Sequence, residues 1–184
     1  MSNDHQIELR LVDGSAPASP GDVFKTLDKL AIAHSTITHP PMRTVEDSMA
    51  LRDGVPGGYS KNLFLRNRKG RMVLVTLLEH RTVDLKALGA QLGIGKPSFA
   101  SQQRLMHFLG VKPGAVTPLA VINDVTQVVT TVLDKSLLAM DPLHFHPCDN
   151  CMTTTVSAGG LLSYMNSCHL DPVIVDFDAL EVSE

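Results

Sequence analysis

The feature that most constrains how this chain can fold is a hairpin in its first half. Asn62-Leu63-Phe64-Leu65 and Arg71-Met72-Val73-Leu74-Val75-Thr76-Leu77 are apolar runs bridged by Arg66-Asn67-Arg68-Lys69-Gly70. Two such runs across a turn-forming segment read as paired strands. Upstream, Val23, Phe24, Leu27, Leu30 and Ala31 recur at helical spacing and predict a helix over 21–34, with Asp22 as its N-cap. A short extended piece ends at His39-Pro40-Pro41, a second helix is expected over 44–51 with Thr44 as cap, and 53–58 is rich in turn formers. Downstream, helices are expected over 83–92, stopped by Gly93, and over 98–109, capped by Ser98 and stopped by Gly110. Further strands are expected near 118–122, 127–133, 143–146, 152–156 and 173–177, with a helix at 158–167. Strands that arrive partly as hairpins and partly between helices predict an α/β or α+β domain around a mixed sheet.

The 184 residues suit one domain with a single sizeable core: a loose polar arm over 1–20, then one domain over 21–184. No run of 18 apolar residues exists, so no membrane span is expected. The N-terminus lacks the basic and apolar regions of a secretory signal, and three cysteines are too few for a disulfide framework. A cytoplasmic protein is the expectation.

Charge is distributed unevenly. Residues 1–60 carry a net charge of -3, residues 61–112 a net of +8 and residues 113–184 a net of -8, so the overall -3 hides a polar molecule. The +8 segment holds Lys61, Arg66, Arg68, Lys69, Arg71, Arg81, Lys86, Lys96, Arg104 and Lys112 against Glu79 and Asp84. Such a stretch attracts polyanions by neutralising phosphates, although a solvated basic surface would have the same composition. Aromatics reach only 4%, too few for a site that stacks several bases.

Several chemistries lack their residues. There is no Gly-x-Ser-x-Gly elbow and no His-Glu-x-x-His helix. The segment from Gly89 to Pro97 fails as a phosphate loop, because its glycines are one residue too far apart and Pro97 replaces the magnesium-binding hydroxyl. Pro147-Cys148-Asp149-Asn150-Cys151 matches half of the zinc nucleobase-deaminase signature, but no His-x-Glu accompanies it. A structural zinc on Cys148, Cys151 and His146, with Cys168 or His169, is the formal alternative to two small semi-buried thiols.

Three segments remain, each putting polar groups where a strand begins or ends: Lys61-Asn62-Leu63-Phe64-Leu65, Gly114-Ala115-Val116-Thr117-Pro118, and His146-Pro147-x-x-Asn150-x-x-Thr153-Thr154. Alone, each has a plain structural explanation, such as an edge-strand lysine, a turn glycine and a half-buried histidine. Together with Ser98-Phe99-Ala100-Ser101, Arg104-Leu105-Met106, Gly110-Val111-x-Pro113 and Ile122-Asn123-Asp124, they resemble the YbaK/ProX-like superfamily. These are relatives of the editing domain of bacterial prolyl-tRNA synthetase, and the likeness is greatest to the free-standing Ala-tRNA(Pro) deacylases. It runs from about Gly21 to Phe177.

The resemblance implies a mixed, largely antiparallel central sheet flanked by helices. It implies trans-editing hydrolysis of the ester in mischarged Ala-tRNA(Pro), with no cofactor and no metal. Lys61, Gly114 and His146 would be the catalytic positions. Asn62, Ala115, Thr117, Pro118, Asn150 and Lys96 would bind substrate. An aminoacyl ester is already activated, so positioning and stabilisation of the developing oxyanion are the main demands. By this likeness Gly114 is the backbone donor, stiffened by Pro118; Lys61 holds the 3′ end or its phosphate; His146 and Asn150 orient the terminal adenosine or the attacking water. The implied partner is tRNA, with prolyl-tRNA synthetase or an elongation factor as candidate docking partners and no membrane. Relatives usually carry arginine where this chain has Lys96, and a lysine cannot make arginine's planar fork to a guanine edge. A deacylase for Cys-, Ser- or Thr-charged tRNA, and a non-catalytic or zinc-structured tRNA-binding module, are the alternatives.

Overall fold

The computed structural model of the chain describes residues 9–41 and 54–180. At its centre lies the hairpin, β2 (Gly58–Arg66) antiparallel to β3 (Met72–Leu78), in a register that sets Asn62 opposite Thr76 and Lys61 opposite Leu77. Asn67 builds the turn. Its backbone N–H donates to the Arg71 carbonyl at 3.0 Å, its Oδ1 accepts the Arg71 N–H at 2.9 Å, and Gly70 takes a φ of +84° that favours glycine. Residues Met72 to Leu77 are all buried. Met72 and Leu74 join one apolar cluster with Val23, Leu27 and Leu119, while Val73, Val75 and Leu77 join another with Leu88, Val132 and Phe177. A strand covered on both faces has no use for alternation, which is why its sequence is continuously apolar.

The sheet runs β1 (His34–Thr38), β7 (Met152–Val156), β6 (Leu143–Phe145), β2, β3, β5 (Val129–Asp134) and β8 (Val173–Val175), and β4 (Ser98–Phe99) pairs with β2 off this path. The β1/β7, β7/β6, β2/β3 and β2/β4 pairs are antiparallel, and β2/β6, β3/β5 and β5/β8 are parallel. This is the mixed sheet the residue pattern predicts, and the mostly antiparallel sheet flanked by helices that the family resemblance implies.

Helix α1 (Pro20–Lys29) buries Val23 and Leu27. Ser19, not Asp22, is its N-cap. Asp22 is the N3 partner of a capping box, and its carboxyl is held down at about 2, chiefly by the Ser19 hydroxyl. The helix also stops earlier than expected. Ala31 takes a φ of +54°, the Ile32 N–H closes onto the Leu27 carbonyl, and His34 already belongs to β1. Helix α2 (Leu85–Gln91) starts at the Asp84 cap. Ser98 caps nothing: it pairs with Arg66 in β4, and Ser101 caps α3 (Gln102–Leu109) instead. The expected strand at 118–122 is a 3₁₀ helix, Pro118–Asn123, because Pro118 occupies a first-turn position and the Thr117 hydroxyl accepts the Leu119 N–H. A short α4 (Lys135–Leu138), α5 (Ala158–Ser167) and α6 (Phe177–Leu180) complete the described elements. The helix expected over 44–51 lies outside the described residues.

Residues 9–19 run against the body. Leu11 is buried, the Val12 N–H donates to the His107 carbonyl at 2.9 Å, and the Ala18 N–H donates to Asn123 Oδ1 at 2.7 Å.

One buried ion pair ties the parallel half of the sheet to its cover. Arg81 Nε donates to Asp134 Oδ2 at 2.9 Å, and its Nη1 reaches Asp178 Oδ1 at 2.8 Å. Asp134 is fully buried and also accepts the Leu78 and Ser136 N–H groups. Arg81→Ala leaves that carboxylate without its counter-charge, so chemical denaturation should show a loss of about 3–5 kcal/mol. Truncating the exposed Asp178 should cost far less. Its carboxyl is held below the usual range, first by the Arg81 hydrogen bond. Its contribution is therefore complete above the ordinary carboxylate pKa and disappears as the pH falls through the lowered folded value.

Candidate active site

Helix α3 ends at Gly110, whose φ of +64° turns the chain away and whose N–H closes onto the Met106 carbonyl. The next residues form a second turn. The Ala115 N–H donates to the Lys112 carbonyl at 3.0 Å across Pro113-Gly114, and Gly114 has a φ of +89°. Proline then glycine in the two central positions, with φ positive at the second, is the pattern of a type II turn. Its closing bond uses the Ala115 N–H and does not consume that of Gly114. Gly114 is exposed while Ala115 is buried.

The turn is held from beneath. Thr117 is fully buried as the cap of the 3₁₀ helix, and the Tyr164 hydroxyl on α5 donates to the Leu119 carbonyl at 2.9 Å. Asn123 is buried, and its Nδ2 donates to the Leu109 carbonyl at 2.9 Å while its Oδ1 takes the Ala18 N–H. A Cβ added at Gly110 would come within 2.6 Å of that amide, so the exit of α3 has no room for a side chain.

Facing this turn is the β6–β7 connection. The His146 Nδ1–H donates to the Met152 carbonyl at 2.7 Å, which fixes the orientation of the ring. The His146 ring lies 6.1 Å from that of His39, which is buried and bonded to the Pro40 carbonyl and the Thr153 hydroxyl. Asp149 shapes the bend by accepting the Cys151 N–H at 2.8 Å.

Between the turn and this connection lies a cleft of about 690 Å³, lined by Met106, Gly110, Lys112, Gly114, Cys148 and Asn150 among others. It brings together Gly114, Ala115 and Asn150 from segments far apart in sequence. Lys112 and Asp149 also line it. The sequence reading assigns neither to the site, although Lys112, a cation just before a Pro-Gly turn, offers a signal. Thr117 and Pro118 build the turn's support and do not line this cleft.

The remaining candidates sit elsewhere. Asn62 Oδ1 accepts the Thr76 hydroxyl at 2.8 Å. Asn62 shares the strand phase of Phe64, whose cluster includes Ala115 and Leu119. Lys61 is half-buried in the opposite phase, with Leu63 and Leu65. It occupies a gap in the sheet: on the edge of β2 away from β3, β6 pairs with Gly58 and Tyr59 and β4 with Leu65 and Arg66. Among the described residues no strand covers Ser60–Leu63 on that edge. Lys96 lines a different groove.

The thiols are held neutral. Burial pushes Cys148 up to about 12, with Asp149 adding to the effect, and burial also raises Cys151 and Cys168. None offers a thiolate nucleophile near neutral pH. Among the described residues, no three His, Cys, Asp or Glu side chains converge as a metal-ligating group, and no helix is long and apolar enough to cross a membrane.

Residues 39–164 match the family model of the aminoacyl-tRNA editing domain. The chain is 33% identical over 184 residues to "Prolyl-tRNA synthetase associated domain-containing protein 1" of Danio rerio, covering 97% of this chain and 100% of that one. It is 39% identical over 136 residues to "Prolyl-tRNA editing protein ProX" of Acetoanaerobium sticklandii, covering 73% and 83%. A solved structure of a proposed trans-editing enzyme for prolyl tRNA synthetase superposes with a TM-score of 0.68 at 18% identity, over 88% of this chain and 98% of that one, a likeness of fold. The chain belongs to the aminoacyl-tRNA editing domain family, the deacylases that clear wrongly charged tRNA.

Proposed function

We propose that this deacylase hydrolyses the ester between alanine and the 3′ adenosine of tRNA(Pro) without a metal ion. The observation that carries the reading is the meeting of the Gly114 turn and Asn150 in one cleft. Ester hydrolysis needs water to add to the carbonyl carbon, a donor for the oxyanion that forms, and a proton for the departing ribose oxygen. A backbone N–H on a glycine turn can approach the oxyanion closely, because no Cβ intervenes. Asn150 can orient the terminal adenosine or the water, and His146, four residues before it on the same connection and held by the Met152 carbonyl, is a further polar group offered there. Lys61, on the stretch of β2 that no described strand pairs on that edge, can carry its ammonium on a four-carbon stem to the 3′-terminal phosphate without strict angular demands. Names of relatives from a fish and a bacterium both point to prolyl-tRNA, which supports tRNA(Pro) as substrate and prolyl-tRNA synthetase as a docking partner.

A panel of purified aminoacyl-tRNAs tests the substrate assignment. Ala-tRNA(Pro) should be hydrolysed fastest, at the same rate with and without EDTA. Faster cleavage of Cys-, Ser- or Thr-charged tRNA, or activity lost in EDTA and restored by zinc, would overturn it. Lys61→Ala should lower Ala-tRNA(Pro) hydrolysis at least tenfold with thermal stability retained; near-normal turnover would remove Lys61 from the mechanism.

A further inference from the structure

A second groove, of about 830 Å³, lies between the β2–β3 turn and the 93–98 loop, and its lining shares no residue with the Gly114 cleft. Five cations line it, Arg66, Arg68, Lys69, Arg71 and Lys96, and no carboxylate does. None of the five is paired with a carboxylate among the described residues, whereas Lys25, Arg81 and Lys135 are. Five like charges gathered without neutralisation raise the cost of folding unless something anionic uses them.

The groove is also preformed. Asn67, 6% exposed, spans its floor: Nδ2 donates to the Ile94 carbonyl at 3.1 Å, and Oδ1 takes the Arg71 N–H. The Arg66↔Ser98 pairing fixes one wall. The other is pressed onto α2, where a Cβ at Gly89 would fall 1.9 Å from the Gly95 carbonyl oxygen. Beside it Phe99 keeps 64% of its surface in water.

We infer that Arg66, Arg68, Lys69 and Arg71 of the β2–β3 turn extend the substrate contact expected at Lys96 into a second RNA-binding groove, holding backbone phosphates of the tRNA acceptor arm outside the ester-binding cleft; the inference rests on the deacylase reading. Arginine forks match phosphate oxygens in pairs, and several fixed cations suit an anion that repeats along a chain. An exposed ring at the rim adds a stacking surface that an acidic peptide would not use. Along β2 the five steps from Lys61 to Arg66 span roughly 17 Å, the length of several nucleotides, so one bound strand can reach both places.

The test is equilibrium binding of unacylated tRNA(Pro) transcript to the full chain across a salt series. Arg68, Lys69 and Arg71 are exposed, so the triple alanine variant should keep its thermal stability. Its affinity should drop at least tenfold, and the slope of log K against log salt should shrink by about 2–3, at ~0.7–0.9 for each phosphate released. Arg68→Lys with Arg71→Lys should retain the slope. A folded triple variant with unchanged affinity and slope would overturn the inference, as would displacement of tRNA by poly-glutamate as readily as by unrelated RNA. Groove-dependent binding by a protein that cleaves no aminoacyl-tRNA would support the groove and overturn the deacylase reading.

Discussion

Strand β2 carries the constraint on which the rest of the structure depends. It is antiparallel to β3 along its length, yet its other edge is shared between β6 at one end and β4 at the other. Among the described residues no strand pairs with Ser60–Leu63 on that edge, which interrupts the ladder where Lys61 and Asn62 stand. The gap is tolerable because both faces are filled. Leu65 packs in one apolar cluster and Phe64 in the other, and neighbouring β3 alternates between the two. A sheet covered on both sides supplies enough burial to hold an interrupted edge rigid.

Rigidity is also what the Gly114 turn needs. Its supports are polar and buried: Thr117 on the 3₁₀ helix, Asn123 bridging the end of α3 to residue 18, and the Tyr164 hydroxyl on the Leu119 carbonyl. Each satisfies a backbone group that would otherwise be stranded in the core, so losing one costs the unmet desolvation as well as the bond. Burial, with Asp149 adding to it, holds the Cys148 and Cys151 thiols protonated, which is consistent with the proposed use of positioned water and backbone donors in the cleft.

The parts legible in the sequence had a local signal. The hairpin stood out by its apolar runs and its Asn67/Gly70 turn; the 158–167 helix and the 152–156 strand lie where expected. Misreadings arose where two residues competed for one role. Ser98 and Ser101 are both capping types, and only strand pairing with Arg66 removes Ser98 from contention. Ser19 and Asp22 share one capping box, and sequence does not say which is the cap. The Pro118–Ile122 run is too short to have a period, so burial alone could not separate a strand from a 3₁₀ turn. In the site, the meeting of Gly114 with Asn150, and the presence of Lys112 and Asp149 beside them, depend on tertiary packing. The opposite phases of Lys61 and Asn62 follow from alternation, but which phase faces the Gly114 loop needed the fold.

The proposed mechanism turns on a backbone donor at Gly114 for the oxyanion. Its φ of +89° makes any side chain there strained, so a loss of stability of about 1 kcal/mol in Gly114→Ala is expected from the turn alone. The decisive measurement is single-turnover hydrolysis of Ala-tRNA(Pro) by folded Gly114→Ala protein, with thermal stability and affinity for unacylated tRNA measured on the same sample. The account predicts a rate lowered by roughly 10²-fold or more, with tRNA affinity nearly unchanged. A destabilised variant that cleaves the ester at the wild-type single-turnover rate would contradict it, leaving Gly114 as a turn residue only.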